Sequence, residues 1–427
     1  MFENLLNINC KCGKTHVLDT REFVVEKDGM AKLPEVLDKL KLNDRPLALY
    51  DENTYKAAAA KVEKYRPGME KLILNGAHIK PDEAQIEAVA KAAPGHSAIV
   101  AVGSGVICDL ARYVANEQGM SFVAVPTAAS VDGFVSSSAV VTLKKAKLTL
   151  PAVSPLGVVA DMEIISAAPK RMTASGVGDM LGKYIAIADW KVGGLLSNEY
   201  YCPFTADLEL NSVDMIMDEI EGIARGEIAS MSKLMEGLLI SGIAMQMMAT
   251  TRPASSFEHH ISHYLETVPM DENFDHDALH GEKVGVASVY AAKYYPIFVR
   301  LLKSIFEDKL ENHFSIENVA RLYGEFPQGV IDYVKKENIP NISDTLDVEK
   351  LKQNYDEILE TADKIPASDE IRRALKTVGG KSSYEELGIN SEKFREVMSR
   401  CCYIRNRLTV LRLVTDYGLF NFEAMDD

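Results

Sequence analysis

Five of the nine histidines lie between His259 and His280. In Glu258-His259-His260-Ile261-Ser262-His263, His259 and His263 are four residues apart and share one helix face. His280 opens His280-Gly281-Glu282-Lys283-Val284-Gly285 at a loop-to-helix transition. Neutral imidazoles from two helices suit a zinc-like divalent ion, although such a cluster can also decorate a surface or cap a helix. Asp179, in Ser175-Gly176-Val177-Gly178-Asp179-Met180-Leu181-Gly182-Lys183, reads alone as a first-turn acid facing the helix dipole. With His259 and His280 it makes a three-ligand Asp/His/His set. Three protein ligands leave a position for substrate, which is the catalytic pattern.

Two loops could hold a nucleotide. Gly103-Ser104-Gly105-Val106-Ile107-Cys108-Asp109 follows an apolar run and opens a helix. Glycines there admit a pyrophosphate to unpaired helix N–H groups, or simply make a tight turn. Pro126-Thr127-Ala128-Ala129-Ser130-Val131-Asp132-Gly133 is small and hydroxylic at a strand end, where open α/β sheets bind ligands. Asp51 follows another strand and could accept ribose hydroxyls or cap the next helix. Cys10, Cys12 and His16 form a close group that reads as a hairpin with incidental thiols before a metal knuckle.

The elements that must position these residues change character along the chain. Apolar runs at Pro46–Tyr50, Lys71–Asn75, Ala98–Val102 and Phe122–Pro126 alternate with helical stretches at Tyr55–Tyr65, Pro81–Ala93 and Cys108–Glu117. Such alternation predicts a parallel sheet covered on both faces. A hairpin is expected over Ala139–Leu143 and Lys147–Leu150, turning at Lys144–Lys145, before a last strand at Gly157–Ala160. Beyond Pro169 the pattern is helical, as in Met215–Arg225, Ser230–Met248 and Glu282–Tyr295. The expected division is 1–168, an α/β dinucleotide-binding domain, and 169–427, an all-α metal- and substrate-binding domain.

Composition narrows the partners. The chain has 427 residues with 47 Lys plus Arg against 62 Asp plus Glu, a formal charge of −15. No basic footprint offsets phosphate repulsion, so nucleic acid is excluded as a general partner. Met1–Cys10 lacks the pattern of a secretory leader, and uncharged runs such as Gly237–Thr251 fall short of the ~18–20 residues that span a bilayer. Six sparse cysteines fit free thiols in a reducing cytoplasm, where we expect the protein.

In this order the motifs resemble the metal-dependent polyol dehydrogenases, a superfamily with the iron-type alcohol dehydrogenases and dehydroquinate synthases. PTAASVDG together with EHHISH is most similar to the bacterial type of its sn-glycerol-1-phosphate dehydrogenase family. The resemblance runs from about Phe23 past Tyr295 and weakens over the last hundred residues. It implies a Rossmann-like nucleotide-binding domain followed by a helical metal-binding domain. It implies NAD(H) or NADP(H) contacts at Asp51, Gly105, Val106, Ile107, Cys108, Asp109, Thr127, Ala128, Ala129, Ser130 and Ser136. It implies metal ligation by Asp179, His259 and His280, and substrate contacts at Asp132, Asp179 and His263, with Asp132 and His263 catalytic. Lys183 stands where the iron-type enzymes carry a further histidine, which favours zinc or nickel. His276 is a minor alternative ligand. The implied reaction interconverts dihydroxyacetone phosphate and sn-glycerol 1-phosphate, in a homodimer or larger homo-oligomer. Lys183 and Lys283 are the cations nearest the motifs for the phosphate. A glycerol dehydrogenase, a dehydroquinate-synthase-like lyase and a non-catalytic NAD- or metal-binding regulator are the alternatives.

Overall fold

The computed structural model describes residues 2–76, 79–143 and 146–422; the Lys144–Lys145 turn lies outside them. Two short strands, β1 (Asn7–Asn9) and β2 (Thr15–Val17), form an antiparallel hairpin. A six-stranded parallel sheet follows from β3 (Glu22–Glu26), β4 (Pro46–Asp51), β5 (Glu70–Leu74), β6 (Ala98–Gly103), β7 (Ser121–Pro126) and β10 (Gly157–Asp161), in the order β3-β10-β7-β6-β4-β5. The hairpin β8 (Ser138–Leu143) with β9 (Ala146–Pro151) precedes β10. Helices α1 (Leu33–Lys39), α2 (Glu52–Tyr65), α3 (Glu83–Ala92) and α4 (Gly105–Gln118) lie between the strands in sequence. Every residue of β6 is buried, as a central strand covered on both faces requires.

Sequence patterning locates all these strands but β3, and the hairpin read around Cys10, Cys12 and His16 is β1–β2. In β3 the apolar Phe23-Val24-Val25 is bracketed by Glu22 and Glu26, and it takes the sheet edge beside β10. Charged ends suit an edge and blur the strand signal.

After α5 (Met162–Ser166) come α6 (Lys170–Leu181), α7 (Lys183–Leu196), α8 (Pro203–Asp218), α9 (Ile220–Arg225), α10 (Ile228–Met248), α11 (Phe257–Thr267) and α12 (His280–Leu301), then shorter helices to Asp416. The stretch Met215–Arg225, expected as one helix, is broken between α8 and α9. Two compact units result: Met1–Met180 with Asp207–Thr251, and Leu181–Ala206 with Arg252–Asp427. The strand-to-helix change at 168/169 is not where the units divide, because α10 packs on α5, β2, β3 and the turn Gly133–Val135 of the sheet-bearing unit. Charged Lys233 and Glu236 interrupt the uncharged run in α10, yet by length and composition this helix could cross a bilayer. With 72% of its apolar window buried, it has the character of a core helix.

In the second unit α11 packs on α12, and the C-terminal segment closes the core. Arg412, fully buried, donates to Asp416 Oδ2 at 2.6 Å, Asn338 Oδ1 at 2.6 Å and Asn341 Oδ1 at 2.8 Å. Buried Arg252 pairs with Glu199 at 2.7 Å and donates to Asp189 O and Leu408 O at 3.0 Å.

One arginine holds the loops of the first unit. Arg112 of α4 is buried, pairs with Asp109 at 2.7 Å, and donates to Gly133 O, Phe134 O and Ser138 O at 2.6, 2.9 and 3.1 Å. Arg112→Met would strand three carbonyl acceptors and Asp109, at ~1–3 kcal/mol for each buried group left unpaired. We expect a loss of at least ~2 kcal/mol in urea unfolding, on that scale. An unchanged midpoint would mean the clamp contributes nothing.

Candidate active site

In the first unit the two candidate loops follow the ends of the neighbouring strands β6 and β7. At the end of β6, a side chain on Gly103 would run into Ile107, so the turn into α4 requires glycine. Ser104 is the N-cap of α4 but makes no side-chain cap bond. The N–H groups of Gly105, Val106 and Ile107 therefore have no helical acceptor and no cap from Ser104. The N–H of Cys108 bonds Ser104 O at 3.1 Å, and burial pushes its thiol up to about 12. Asp109 is tied to Arg112 as described. Thus the turn offers backbone donors, while its Cys and Asp side chains serve the fold.

Thr127–Ser130 follows β7 and is buried, with Thr127 N donating to Gly103 O at 3.1 Å. Ser175 Oγ bonds Ser130 O at 3.0 Å, and any side chain at Gly176 would strike the Ala129 carbonyl oxygen. That close approach explains the small residues of Ser175-Gly176-Val177-Gly178. Asp132 N donates to Asp179 Oδ2 at 3.0 Å, and Asp132 Oδ2 accepts from Ser241 Oγ at 2.9 Å. Asp179 is completely buried. Ser136 Oγ bonds Ser138 O at 3.1 Å and shapes the entry to β8. Asp51 caps α2: its Oδ1 accepts from Asn53 N and Thr54 N, both at 2.8 Å, so the cap uses only one carboxylate oxygen.

In the second unit three imidazoles converge. Ring centroids are 5.4 Å apart for His259 and His280, 5.9 Å for His259 and His263, and 5.8 Å for His263 and His280. Two carboxylates that sequence reading missed orient them. Buried Glu258 meets His259 Nδ1 at 2.6 Å and also accepts from Ser256 N at 2.9 Å. Glu266 meets His280 Nδ1 at 3.1 Å, His263 Nδ1 at 3.4 Å and Lys283 Nζ at 3.1 Å. Holding Nδ1 leaves Nε2 of His259 and His280 as the lone-pair nitrogen, the arrangement of metal-ligating histidines. The signal for Glu266 was its spacing, three residues after His263 and seven after His259 on one face.

His276 is exposed and bonds Asp271 O at 3.0 Å. Lys183 is fully buried and donates to Ala254 O at 3.1 Å, and Lys283 also donates to Ala278 O at 2.9 Å. The two lysines nearest the motifs are thus engaged with the protein itself. Positive charge is concentrated elsewhere. Arg407, Arg252 and Arg405 all act on His260, a buried imidazole with neither nitrogen hydrogen-bonded among the described residues. Burial and its neighbours Arg252 and Arg405 lower Arg407 to about 9. An intrinsic pKa near ~6.5 suits His263 for proton exchange in water. Burial changes that, lowering His263 to about 3 against the opposing pull of Glu266.

The iron-containing alcohol dehydrogenase family matches residues 24–169. A glycerol-1-phosphate dehydrogenase [NAD(P)+] of Halalkalibacterium halodurans is 30% identical over 417 residues, covering 96% of each chain. That of Bacillus licheniformis is 29% identical, covering 96% of this chain and 92% of the relative. That of Pyrococcus horikoshii is 34% identical over 64% of this chain and 78% of its own. Among solved structures, a probable glycerol dehydrogenase from Sinorhizobium meliloti superposes with TM-score 0.61 at 19% identity, covering 94% of this chain and 97% of that one. Sulfoacetaldehyde reductase from Bifidobacterium kashiwanohense, in complex with NAD+, gives 0.60 at 14% identity over 96% and 99% of the two chains. These structural likenesses establish the fold.

Two imidazoles, buried His260 and half-buried His263, set a pH dependence. Burial lowers the pKa of His260 and His263. Below ~6.5 the unfolded chain binds protons that the folded chain refuses, so stability falls as pH drops from there toward 3. For chelator-treated protein, the urea midpoint should fall between pH 7 and pH 5, and His260→Gln should flatten that slope. A flat profile in the unmodified protein would contradict the assignment.

Proposed function

We propose, from the premise that this chain belongs to the glycerol-1-phosphate dehydrogenase family, that it interconverts dihydroxyacetone phosphate and sn-glycerol 1-phosphate with NAD(P)(H) and a divalent metal. The observation that carries the reading is the convergence of His259, His263 and His280 with their Nδ1 atoms facing buried carboxylates. The donor set fits: Nε2 of His259 and His280, joined in this reading by the carboxylate of Asp179, gives borderline N and O ligands suited to zinc or nickel. On the nucleotide side, the uncapped start of α4 fits a pyrophosphate. Asp51 Oδ2, outside the helix cap, would receive a ribose hydroxyl and disfavour a 2′-phosphate.

When bound, the nicotinamide supplies or takes the hydride and the ion supplies Lewis acidity at the substrate's C2 oxygen. The chain's own residues do the rest. The Asp132 carboxylate, anchored by Ser241, orients a substrate hydroxyl. His263, whose Nδ1 faces Glu266, positions the substrate hydroxyl and relays its proton, with the Glu266 carboxylate opposing the burial that disfavours the imidazolium. Arg405 and Arg407 bind the phosphate. Both act on His260, and Arg405 also on His263, which puts their charge beside the imidazole cluster; Arg407 also donates to Ser255 O. We place the working enzyme in the cytoplasm as a homo-oligomer.

On metal-replete protein, dihydroxyacetone phosphate should drive NADH oxidation, with NADPH the weaker donor. A preference for unphosphorylated dihydroxyacetone would instead indicate a glycerol dehydrogenase. His263→Ala should keep its metal and lose roughly 10²-fold in kcat. Loss of the metal would make His263 a ligand, and retention of both metal and rate would make it a packing residue. Arg405→Ala removes charge-assisted bonds worth ~1.5–3 kcal/mol, so KM for dihydroxyacetone phosphate should rise about 10- to 100-fold. An unchanged KM assigns the phosphate to other groups.

A further inference from the structure

The β1–β2 hairpin carries a group that the proposed reaction does not use. Its connection reads Cys10-Lys11-Cys12-Gly13-Lys14, and His16 sits in β2. Cys10 N donates to Lys14 O at 2.9 Å and Gly13 N to Cys10 O at 3.1 Å, while Gly13 takes φ +90°, a left-handed conformation that favours glycine. This tight turn gathers the side chains. One ligand atom each from Cys10, Cys12 and His16 lies within 4.8 Å of the others.

The geometry points to a second divalent-metal site, in which Cys10, Cys12 and His16 bind zinc. Three observations support it. First, His16 is 1% exposed and its Nδ1 faces Met247 O at 3.2 Å. A carbonyl can only accept, so Nδ1 carries the proton and Nε2 presents its lone pair. Second, that Nε2 faces Cys12 Sγ at 3.4 Å. With Zn–S about 2.3 Å and Zn–N about 2.0–2.1 Å, the S···N edge of a tetrahedron is about 3.5 Å. The pair therefore already stands at ligand–ligand separation. Third, Cys12 N approaches Cys10 Sγ at 3.5 Å, so the turn directs a backbone donor at the sulfur and stabilises thiolate character.

Two strands of three residues are too short to be stable alone. A metal that joins the turn to β2 would fix them, and through His16 would fix their docking on the C-terminal end of α10. Binding releases two thiol protons, and two thiolates cancel the ion's charge. A structural zinc takes four donors, so one position remains for water or another residue.

Cobalt(II) exchange into the full-length protein tests this directly. The proposed Asp179/His259/His280 set contains no sulfur, so intense sulfur-to-cobalt charge-transfer absorption in the near ultraviolet can come only from thiolate ligation. We expect that band in the unmodified protein, its loss in Cys12→Ser, and its persistence in His259→Ala. Cys12→Ser should also lose one metal equivalent and show a lower Tm, with kcat/KM retained. Absence of the band in unmodified protein, with Cys10 and Cys12 reacting equally fast with a thiol reagent before and after chelation, would overturn the site. Failure of the dehydrogenase reading would look different, as a thiolate band in a protein that does not oxidise NADH with dihydroxyacetone phosphate.

Discussion

Glu266 faces His263, His280 and Lys283 at once, and the chemistry of the second unit depends on that contact. An imidazole is useful as a ligand or base only when neutral and in one tautomer. Burial supplies neutrality by penalising the charged form. The carboxylate supplies the tautomer by claiming Nδ1. Burying a carboxylate alone would be costly, and Lys283 offsets that cost. Glu258 and His259 repeat the arrangement on adjacent residues, with Ser256 N as the additional donor.

The first unit meets a different constraint, keeping the start of α4 uncapped by Ser104 while its loops pack closely. Gly103 and Gly176 permit close approaches that any side chain would block. Arg112 gathers the carbonyls of the following turn, and α10 supports it from beneath through Ser241, Gly242 and Gln246. Gln246 Nε2 reaches both Thr20 Oγ1 and Val135 O, so one amide links the β3 approach to the turn after Asp132. The turn after Asp132 is thus held by a helix drawn from more than a hundred residues downstream.

Local periodicity made the sheet legible, because buried parallel strands are apolar throughout and their helices follow at regular intervals. It failed at β3, whose edge position tolerates Glu22 and Glu26, and between α8 and α9, where apolar spacing continues across the break. The histidines were legible as a group because His259 and His263 share a face. Their carboxylate partners were not, since acids are common on helices and only the fold shows which are buried. Arg112 was invisible for the same reason: its bonds are to carbonyls, and a backbone oxygen has no sequence signature. Asp51 had two readings, and the structure shows a helix cap that uses one carboxylate oxygen and so coexists with either. The lysines chosen for nearness to the motifs show the limit of proximity in sequence, since each reaches back to a carbonyl.

Net charge and local charge act at different ranges in this protein. A chain at −15 repels a phosphorylated substrate at long distance, but that field is screened beyond a Debye length of about 8–10 Å. Inside that length a few oriented cations decide. Arg252 pairs with Glu199, Arg405 and Arg407 act on His260, and Arg405 also acts on His263. Burial lowers Arg407, and its neighbours Arg252 and Arg405 add to that against the opposing pull of Glu199 and Glu258. A dianionic phosphate bound beside them would be attracted by these cations, and a neutral polyol would not. In the proposed reading, Arg405 and Arg407 therefore favour the phosphorylated substrate over the neutral polyol.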